Sequence, residues 1–288
     1  MMSCEFIKGY TKNDTLRKSL GSLAKKTFGI DLEGWYQSGR WEDSHIPYSF
    51  VDGESIVSNV LANKMKMSTE QKDYTFIQIG TVMTEPAYRN NGYLRKLIEQ
   101  IIEDYKDEVD GFYLYANDSV TEFYPKFGFI AGDEYVYTRK IHKPKQQAKV
   151  VSLKDCSKKE REAFYTVREK TVPNEAICNK NKGLLAFWTD SLDGIYYLPE
   201  AECYVGTDVN EDTLVLNQIF SKKVMDVNLV IDSFYGKAKK VELGFVPLDQ
   251  EEFEVKKIVE KDYHYFYMGE ALETLEKQKV RFPEYSHA

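Results

Sequence analysis

Two short stretches carry residue types and spacings that could do chemistry. Arg89-Asn90-Asn91-Gly92 sets a guanidinium, two amides and a glycine in one turn. If a helix starts at the glycine, backbone N–H groups and the positive helix end converge there, which suits a phosphate or pyrophosphate. Gly92 would let the backbone approach such a group, and Arg89 could add a charged fork. Turns of this composition also occur where nothing binds, so the stretch by itself leaves both readings open. Downstream, Asn117 and Tyr124 stand seven residues apart. In a helix that separation is almost two turns, so both would face one side. An amide able to hydrogen-bond and a phenol able to donate a proton would then flank a crevice. The alternative is that Asn117 caps the helix and Tyr124 fills the core.

The surrounding sequence supplies elements to position these groups. Asn13 and Asp14 are good N-caps, and Leu16, Leu20, Leu23, Ala24 and Phe28 follow at helical spacing. Asp52-Gly53 lies between apolar runs and predicts a hairpin of strands Tyr48–Val51 and Ser55–Met67. Tyr74–Met83 reads as a further strand, rich in β-branched and aromatic residues. From Gly92 onward Leu94, Leu97, Ile98, Ile101, Ile102 and Tyr105 make a helical stripe. Gly111–Ala116 then predicts a strand, Ser119–Lys126 a short helix, and Glu134–Ile141 a last strand. Strand, helix, strand at these lengths implies a right-handed parallel unit, whose C-terminal edge is where ligands bind.

Together these stretches resemble the GCN5-related N-acetyltransferase (GNAT) superfamily. Thr81 to Leu94 is similar to its acetyl-CoA segment, with core pattern (Gln/Arg)-x-x-Gly-x-(Gly/Ala). Asn117 to Phe129, ending Phe123-Tyr124-Pro125-Lys126-Phe127-Gly128-Phe129, is similar to its second hallmark, an Asn followed by Tyr-x-Lys-x-Gly-Phe. Leu94 replaces the usual small residue, Ser119 the usual Ala, and Pro125 follows the tyrosine. The resemblance spans about residues 5 to 141. It implies an α/β (α+β) GNAT fold with a mixed central β-sheet flanked by helices. It also implies acetyl-CoA as cosubstrate, with no metal. Val82, Met83 and Thr84 would hold the pantetheine arm through their backbone. Arg89, Asn90, Asn91, Gly92, Tyr93 and Leu94 would cradle the pyrophosphate. Asn117 would bond the pantetheine region, and Tyr124 would protonate the departing thiolate. Trp35, Tyr36, Trp41 and Tyr48, with acidic neighbours, fall where the family builds its acceptor site; ordinary packing is the other reading. For the general base, Glu54, Asp73, Glu85 and His45 have no spacing argument, and a water chain could serve instead.

Length and composition agree with such an enzyme. The chain has 288 residues, 42% hydrophobic and 30% charged, a globular profile with room for two domains. No apolar run approaches the ~18 residues of a membrane helix. The first residues, Met1 to Phe6, lack an apolar signal core, and the four cysteines form no CxxC pair. The expectation is a cytoplasmic protein with free thiols, a monomer or homodimer. A net charge of −7 argues against a phosphate-tracking nucleic-acid surface and tolerates a cationic small substrate. The four histidines do not pair at metal spacing.

His142–Lys149 is polar, lacks periodicity and contains Pro144, and marks a domain boundary: 1–143 catalytic, 150–288 a second, smaller, degenerate GNAT-like α/β domain. In the second half Ala201–Thr207, Thr213–Ser221, Asp226–Tyr235 and Lys240–Val246 repeat the order strand, strand, helix, strand, with a further strand at Tyr263–Met268. That order reads as a diverged duplication. Its strand-to-helix turn, Ser221 to Asp226, lacks the glycine, so a second cofactor site is not expected. Phe282, Pro283 and Tyr285 suggest that the last residues dock on the fold. Some tandem members of the superfamily instead use a C-terminal carboxylate in the active site. The expected function is acetyl transfer to a primary amine of a small molecule. The alternatives are a non-catalytic acyl-CoA-binding regulatory module and a protein or peptide amine acetyltransferase.

Overall fold

The computed structural model describes residues 4–288, so the reading of Met1–Ser3 lies outside the described residues. The chain opens with β1 (Glu5–Lys8), α1 (Asp14–Phe28) and α2 (Leu32–Gln37). Asn13 caps α1, accepting from the Leu16 amide, and Gly29 ends it in the left-handed conformation. The hairpin follows as β2 (His45–Asp52) and β3 (Ser55–Ser68), turning at Gly53 with φ 61°. Next come β4 (Asp73–Thr84), α3 (Tyr93–Tyr105), β5 (Gly111–Ala116), β6 (Ile130–Ala131) and β7 (Tyr135–Lys140). β4 and β5 are parallel, and α3 lies between them in sequence. Its stripe is driven under the sheet: Leu97, Ile98 and Ile101 are fully buried, each contributing about 1.5–3 kcal/mol by area.

The second half runs β8 (Val151–Ser152), α4 (Lys158–Glu169), β9 (Cys178–Asn179), α5 (Lys182–Thr189) and β10 (Ile195–Leu198). It continues through β11 (Cys203–Asn210), β12 (Thr213–Phe220), α6 (Val227–Asp232) and β13 (Lys240–Leu243). β14 (Glu254–Lys257), β15 (His264–Met268) and α7 (Glu270–Lys277) complete it.

The strands form two sheets. One has the order β1-β2-β3-β4-β5-β15-β6, with β9 paired to β3; the other has the order β8-β10-β11-β12-β13-β7-β14. The orders correspond position by position. β11 and β12 are antiparallel and β12 and β13 parallel, as are β3, β4 and β5. The predicted duplication is therefore present in the topology, with one exchange. β15, from the second half, pairs with β5 and β6; β7, from the first half, pairs with β13 and β14.

That exchange corrects the boundary drawn at 143–150. His142–Lys149 connects β7 and β8, two strands of the same sheet, and is held to the second half. The His142 amide donates to Asp232 Oδ1 at 3.0 Å and Gln147 Nε2 to the Ser233 carbonyl at 2.8 Å. The chain first crosses between sheets at Gly132–Glu134, just before β7. Apolar residues on the facing sides hold β7 there: Tyr137 is buried with Leu243 and Phe245, in a core that also takes in Met65, Phe76 and Tyr113 from the other sheet. Likewise Tyr263–Met268 is no edge of the second sheet, because Phe266 packs with Phe112, Leu114 and Tyr124 beneath the first. Among the described residues no helix is long and apolar enough to cross a membrane.

Candidate active site

The ladder between β3 and β4 breaks at one place. Asn59 pairs with Met83 and Leu61 with Gly80, so Val60 alone opposes Thr81 and Val82. This β-bulge takes two residues' backbone groups out of the regular ladder, and Thr81 there has φ 48°, rare for a threonine. A buried chain of polar side chains supports it. Tyr10 OH and Ser49 Oγ lie 2.6 Å apart, Ser49 donates to Asn59 Oδ1 at 2.8 Å, and Asn59 Nδ2 donates to the Thr81 carbonyl at 3.1 Å. None of these three residues stands out in the sequence, since serine and asparagine inside a strand look like surface.

A cavity of about 630 Å³ opens beside the bulge, lined by Val82, Met83, Thr84, Arg89, Asn90, Asn91, Gly92, Tyr93 and Leu94, with Thr27, Ser119 and Phe123. Every residue assigned to the cofactor from sequence is here except Asn117. Gly92 has φ 75° and caps α3 with no side-chain hydrogen bond, leaving the first-turn N–H groups of the helix without a side-chain partner. A Cβ at Gly92 would meet no protein atom within 4 Å, so the space above the turn is open. The donors, the positive helix end and the Arg89 side chain fit the pyrophosphate of acetyl-CoA. Leu94 is half-buried against the α3 core and faces the cavity rather than blocking the turn.

A second cavity of about 270 Å³ adjoins it, sharing Val82, Leu94, Val120 and Phe123. Its other walls include Phe28, Gln78, Gly80, Thr81, Tyr115, Asn117, Tyr124 and Ala288. Asn117 and Tyr124 do meet at one cavity, though by a different route from the one expected. The segment is two 3₁₀ turns, Asp118–Val120 and Tyr124–Phe127, rather than one helix. Pro125 has no N–H to give and closes off a continuous ladder. Asn117 also caps the first turn, accepting from Ser119 N at 3.1 Å and Ser119 Oγ at 2.6 Å. Tyr124 is 5% exposed, and burial pushes its phenol up to about 12. Among the described residues none hydrogen-bonds its hydroxyl, which is left for a ligand.

The expected acceptor residues lie elsewhere. Trp35 is buried against Trp41, His45 and Phe187 and donates to the Gly183 carbonyl at 3.3 Å, tying α2 to the second half. Trp41 donates to the His45 carbonyl, and the Arg17 guanidinium sits 3.8 Å over the Tyr36 ring. Tyr48 is buried beneath α3 and donates to Asp104 at 2.7 Å. All four find partners within the protein and none lines either cavity. Nor do the four proposed bases: His45, for one, is buried between Asn63 and Asn181, at 2.8 and 3.1 Å.

The walls missed from sequence come from the sheet face and the last residues. Phe282 and Tyr285 dock as expected, both buried. The docking carries Ala288 into the cavity, where its amide donates to Gln78 Oε1 at 3.1 Å. A Cβ on Gly80 would lie 2.5 Å from the Ala288 carbonyl oxygen, so only glycine leaves room for it. The alternation of Phe76 and Gln78 against Ile77 and Ile79 was the signal that could have found Gln78.

Residues 23–131 match the family model for an acetyltransferase (GNAT) domain. The chain carries a GNAT domain. Solved structures agree at the level of fold. A conserved protein of unknown function from Enterococcus faecalis V583 superposes with TM-score 0.61 at 17% identity, covering 95% of this chain and 74% of that one. A GCN5-related N-acetyltransferase from Kribbella flavida gives TM-score 0.56 at 12% identity, covering 92% and 71%. Eis1 from Mycobacterium abscessus gives 0.55 at 11% identity, covering 92% and 72%. No curated protein sequence gives a significant match. These likenesses are of fold, and they span both sheets, so the two-sheet arrangement is shared beyond the matched residues. The GNAT domain supplies the bulge, the Arg89–Leu94 loop and Tyr124, whereas Ala288 and β15 reach the site from the other end of the chain.

Proposed function

We propose that this protein transfers an acetyl group from acetyl-CoA to a primary amine of a small molecule, by direct attack while both are bound. The observation that carries this reading is the convergence of the Thr81 bulge, the uncapped start of α3 and the unpartnered Tyr124 hydroxyl on two adjoining cavities. A binding module would need the loop but not a phenol held free at the bulge.

Acetyl-CoA supplies an activated carbonyl. The loop from Arg89 to Leu94 and the first turn of α3 would hold its pyrophosphate. The strand Val82–Thr84 would align the pantetheine arm, with Asn117 alongside. Backbone N–H groups released by the bulge would stabilise the charge that develops on the carbonyl oxygen. Tyr124 would give its proton to the leaving sulfur; a phenol pushed up to about 12 stays protonated throughout the physiological range.

The small size of the cavity behind the bulge, about 270 Å³, favours a small acceptor over a protein surface. Its side-chain walls are aromatic, aliphatic and amide, with no Asp or Glu side chain among them. A thiol-release assay with acetyl-CoA against a panel of primary amines, including polyamines, amino sugars and amino acids, tests the reading. Release of CoA and formation of the acetylated amine support it. Thermal stabilisation by acetyl-CoA with no turnover of any amine would favour the binding module.

A further inference from the structure

Behind the bulge, on the face of the first sheet that meets the second, is an unusual set of buried polar atoms. The hydroxyls of Tyr113, Tyr115 and Tyr265 and the Nε2 of His287 are all buried without a hydrogen-bond partner among the described residues. Buried polar atoms are almost always satisfied, by protein or by ordered water, so four orphans on one face mark a place for water. The face adjoins the reaction site: Tyr115 and Ala288 both line the cavity behind the bulge, and the His287 ring lies 4.4 Å from the Tyr115 ring.

The other ring nitrogen of His287 faces a carboxylate, within ion-pair range but beyond hydrogen-bond reach. Nδ1 lies 3.9 Å from Glu284 Oε1, and Glu284 is itself fixed by Arg281 at 2.6 Å. Arg281 also lies 3.6 Å from Glu134 and donates to the Tyr263 hydroxyl at 3.0 Å. Tyr263 in turn donates to Glu134 at 2.5 Å. The backbone of His287 is held too, its carbonyl accepting from Trp188 Nε1 at 2.9 Å. The arrangement is a carboxylate on one side of an imidazole and an open nitrogen on the other, as a proton acceptor requires.

We propose that His287 takes up the proton released by the acceptor amine, through water held among the Tyr113, Tyr115 and Tyr265 hydroxyls, with Glu284 as its positioning residue. This rests on the amine acetyltransferase reading. As the amine nitrogen bonds to the thioester carbon and the C–S bond breaks, the Tyr124 proton goes to sulfur and the amine proton to Nε2. Return of a proton from the imidazolium to the Tyr124 phenolate, through solvent, restores the starting state. The groups facing His287 are Glu284, Glu134 and Arg281, with the Tyr115 and Tyr263 rings. Burial outweighs the two carboxylates and lowers its pKa, so the ring is neutral and ready to accept at neutral pH.

The test compares wild type with His287→Gln and Glu284→Gln, reading acetyl-CoA thermal shift and kcat/KM for an active alkyl amine between pH 6 and 9. The expected result for His287→Gln is an unchanged thermal shift and a ~10²-fold loss at pH 7. That loss shrinks toward pH 9, where hydroxide takes the amine proton in place of the imidazole. Glu284→Gln removes a charge that raises the His287 pKa, so the acidic limb moves to lower pH. Activity of His287→Gln within twofold of wild type, a loss that is constant across pH, or a lost thermal shift would each overturn the proposal. A wild-type protein that binds acetyl-CoA but turns over no amine would overturn the reading beneath it, and the proposal with it.

Discussion

The Asn59 side chain reaches from β3 and donates to the carbonyl oxygen of Thr81 on β4, at 3.1 Å. One amide thus pins the single residue whose left-handed backbone makes the bulge. Asn59→Ala should leave Thr81 O and the Ser49 hydroxyl short of a partner, costing about 1–3 kcal/mol of stability. Calorimetry should show the lower Tm. Turnover at a temperature where the variant is fully folded should fall at least tenfold, because the bulge loses its shape. Loss of stability with unchanged turnover would separate the bulge from the chemistry.

Gly92→Val places a β-branched side chain at φ 75° and in the open space above α3. Strain alone should cost about 1–3 kcal/mol. The discriminating measurement is the thermal shift with saturating acetyl-CoA, expected to be several degrees for wild type and absent for the variant. A folded variant with the full shift would put the pyrophosphate elsewhere.

Tyr124→Phe keeps the ring against Phe129 and Phe266 and removes only the hydroxyl. The expected outcome is a kcat reduced ~10²–10⁴-fold with little change in KM for acetyl-CoA. Because burial pushes the phenol up to about 12, the wild-type profile should show no loss from phenol ionisation below pH ~11. Activity within twofold of wild type would remove Tyr124 from the mechanism.

Arg17, buried in α1, binds Glu33 of α2 through two hydrogen bonds, 2.9 and 3.1 Å, and this guanidinium holds the Glu33 carboxyl below its usual range. A depressed carboxyl stabilises the folded state above its unfolded pKa, and the stabilisation is lost as pH falls through the folded value. Wild type should therefore have a higher Tm than Glu33→Gln at pH 7, and the difference should shrink as pH falls below the ordinary carboxyl pKa of ~4.3. A Tm difference that does not shrink between pH 7 and pH 3 would contradict the pairing.

Cleavage engineered within His142–Lys149 should leave both pieces associated, since β7 and β15 each pair in the sheet of the other half. Size-exclusion chromatography should return one peak of full mass. Separation into two folded fragments would refute the exchange.

Local chemistry was legible in the sequence to the extent that it is local. The Arg89–Gly92 turn, the α3 stripe and the Asp52-Gly53 hairpin depend on neighbours within a few residues, and all stand where they were expected. The motif placed Tyr124 beside Asn117, and both line one cavity, although 3₁₀ turns around Pro125 stand in for the helix on which the spacing argument rested. The expected acceptor residues lie off both cavities because Trp35 and Trp41 are satisfied by Gly183, Phe187 and each other, partners more than a hundred positions away or hidden by the turn between. Gln78, Tyr115 and Ala288 escape a sequence reading for the converse reason: they become walls of one cavity only when the last residues lie across the sheet face. The strand exchange leaves no trace in periodicity, since a strand has the same alternation whichever sheet it joins.

That exchange has a consequence for the nascent chain. β5 is almost wholly buried in the finished protein, yet its partner on one side, β15, is about 150 positions later and is synthesised last but for α7 and the residues that follow. At 5–20 residues per second, roughly ten to thirty seconds pass with that edge open. Phe112, Leu114 and the tyrosines that alternate with them, Tyr113 and Tyr115, would meanwhile present an unpaired apolar strand, the kind that recruits chaperones or adds onto a neighbour. Yield in the cell should therefore depend on how quickly the ribosome reaches Met268, even in variants whose finished fold is untouched.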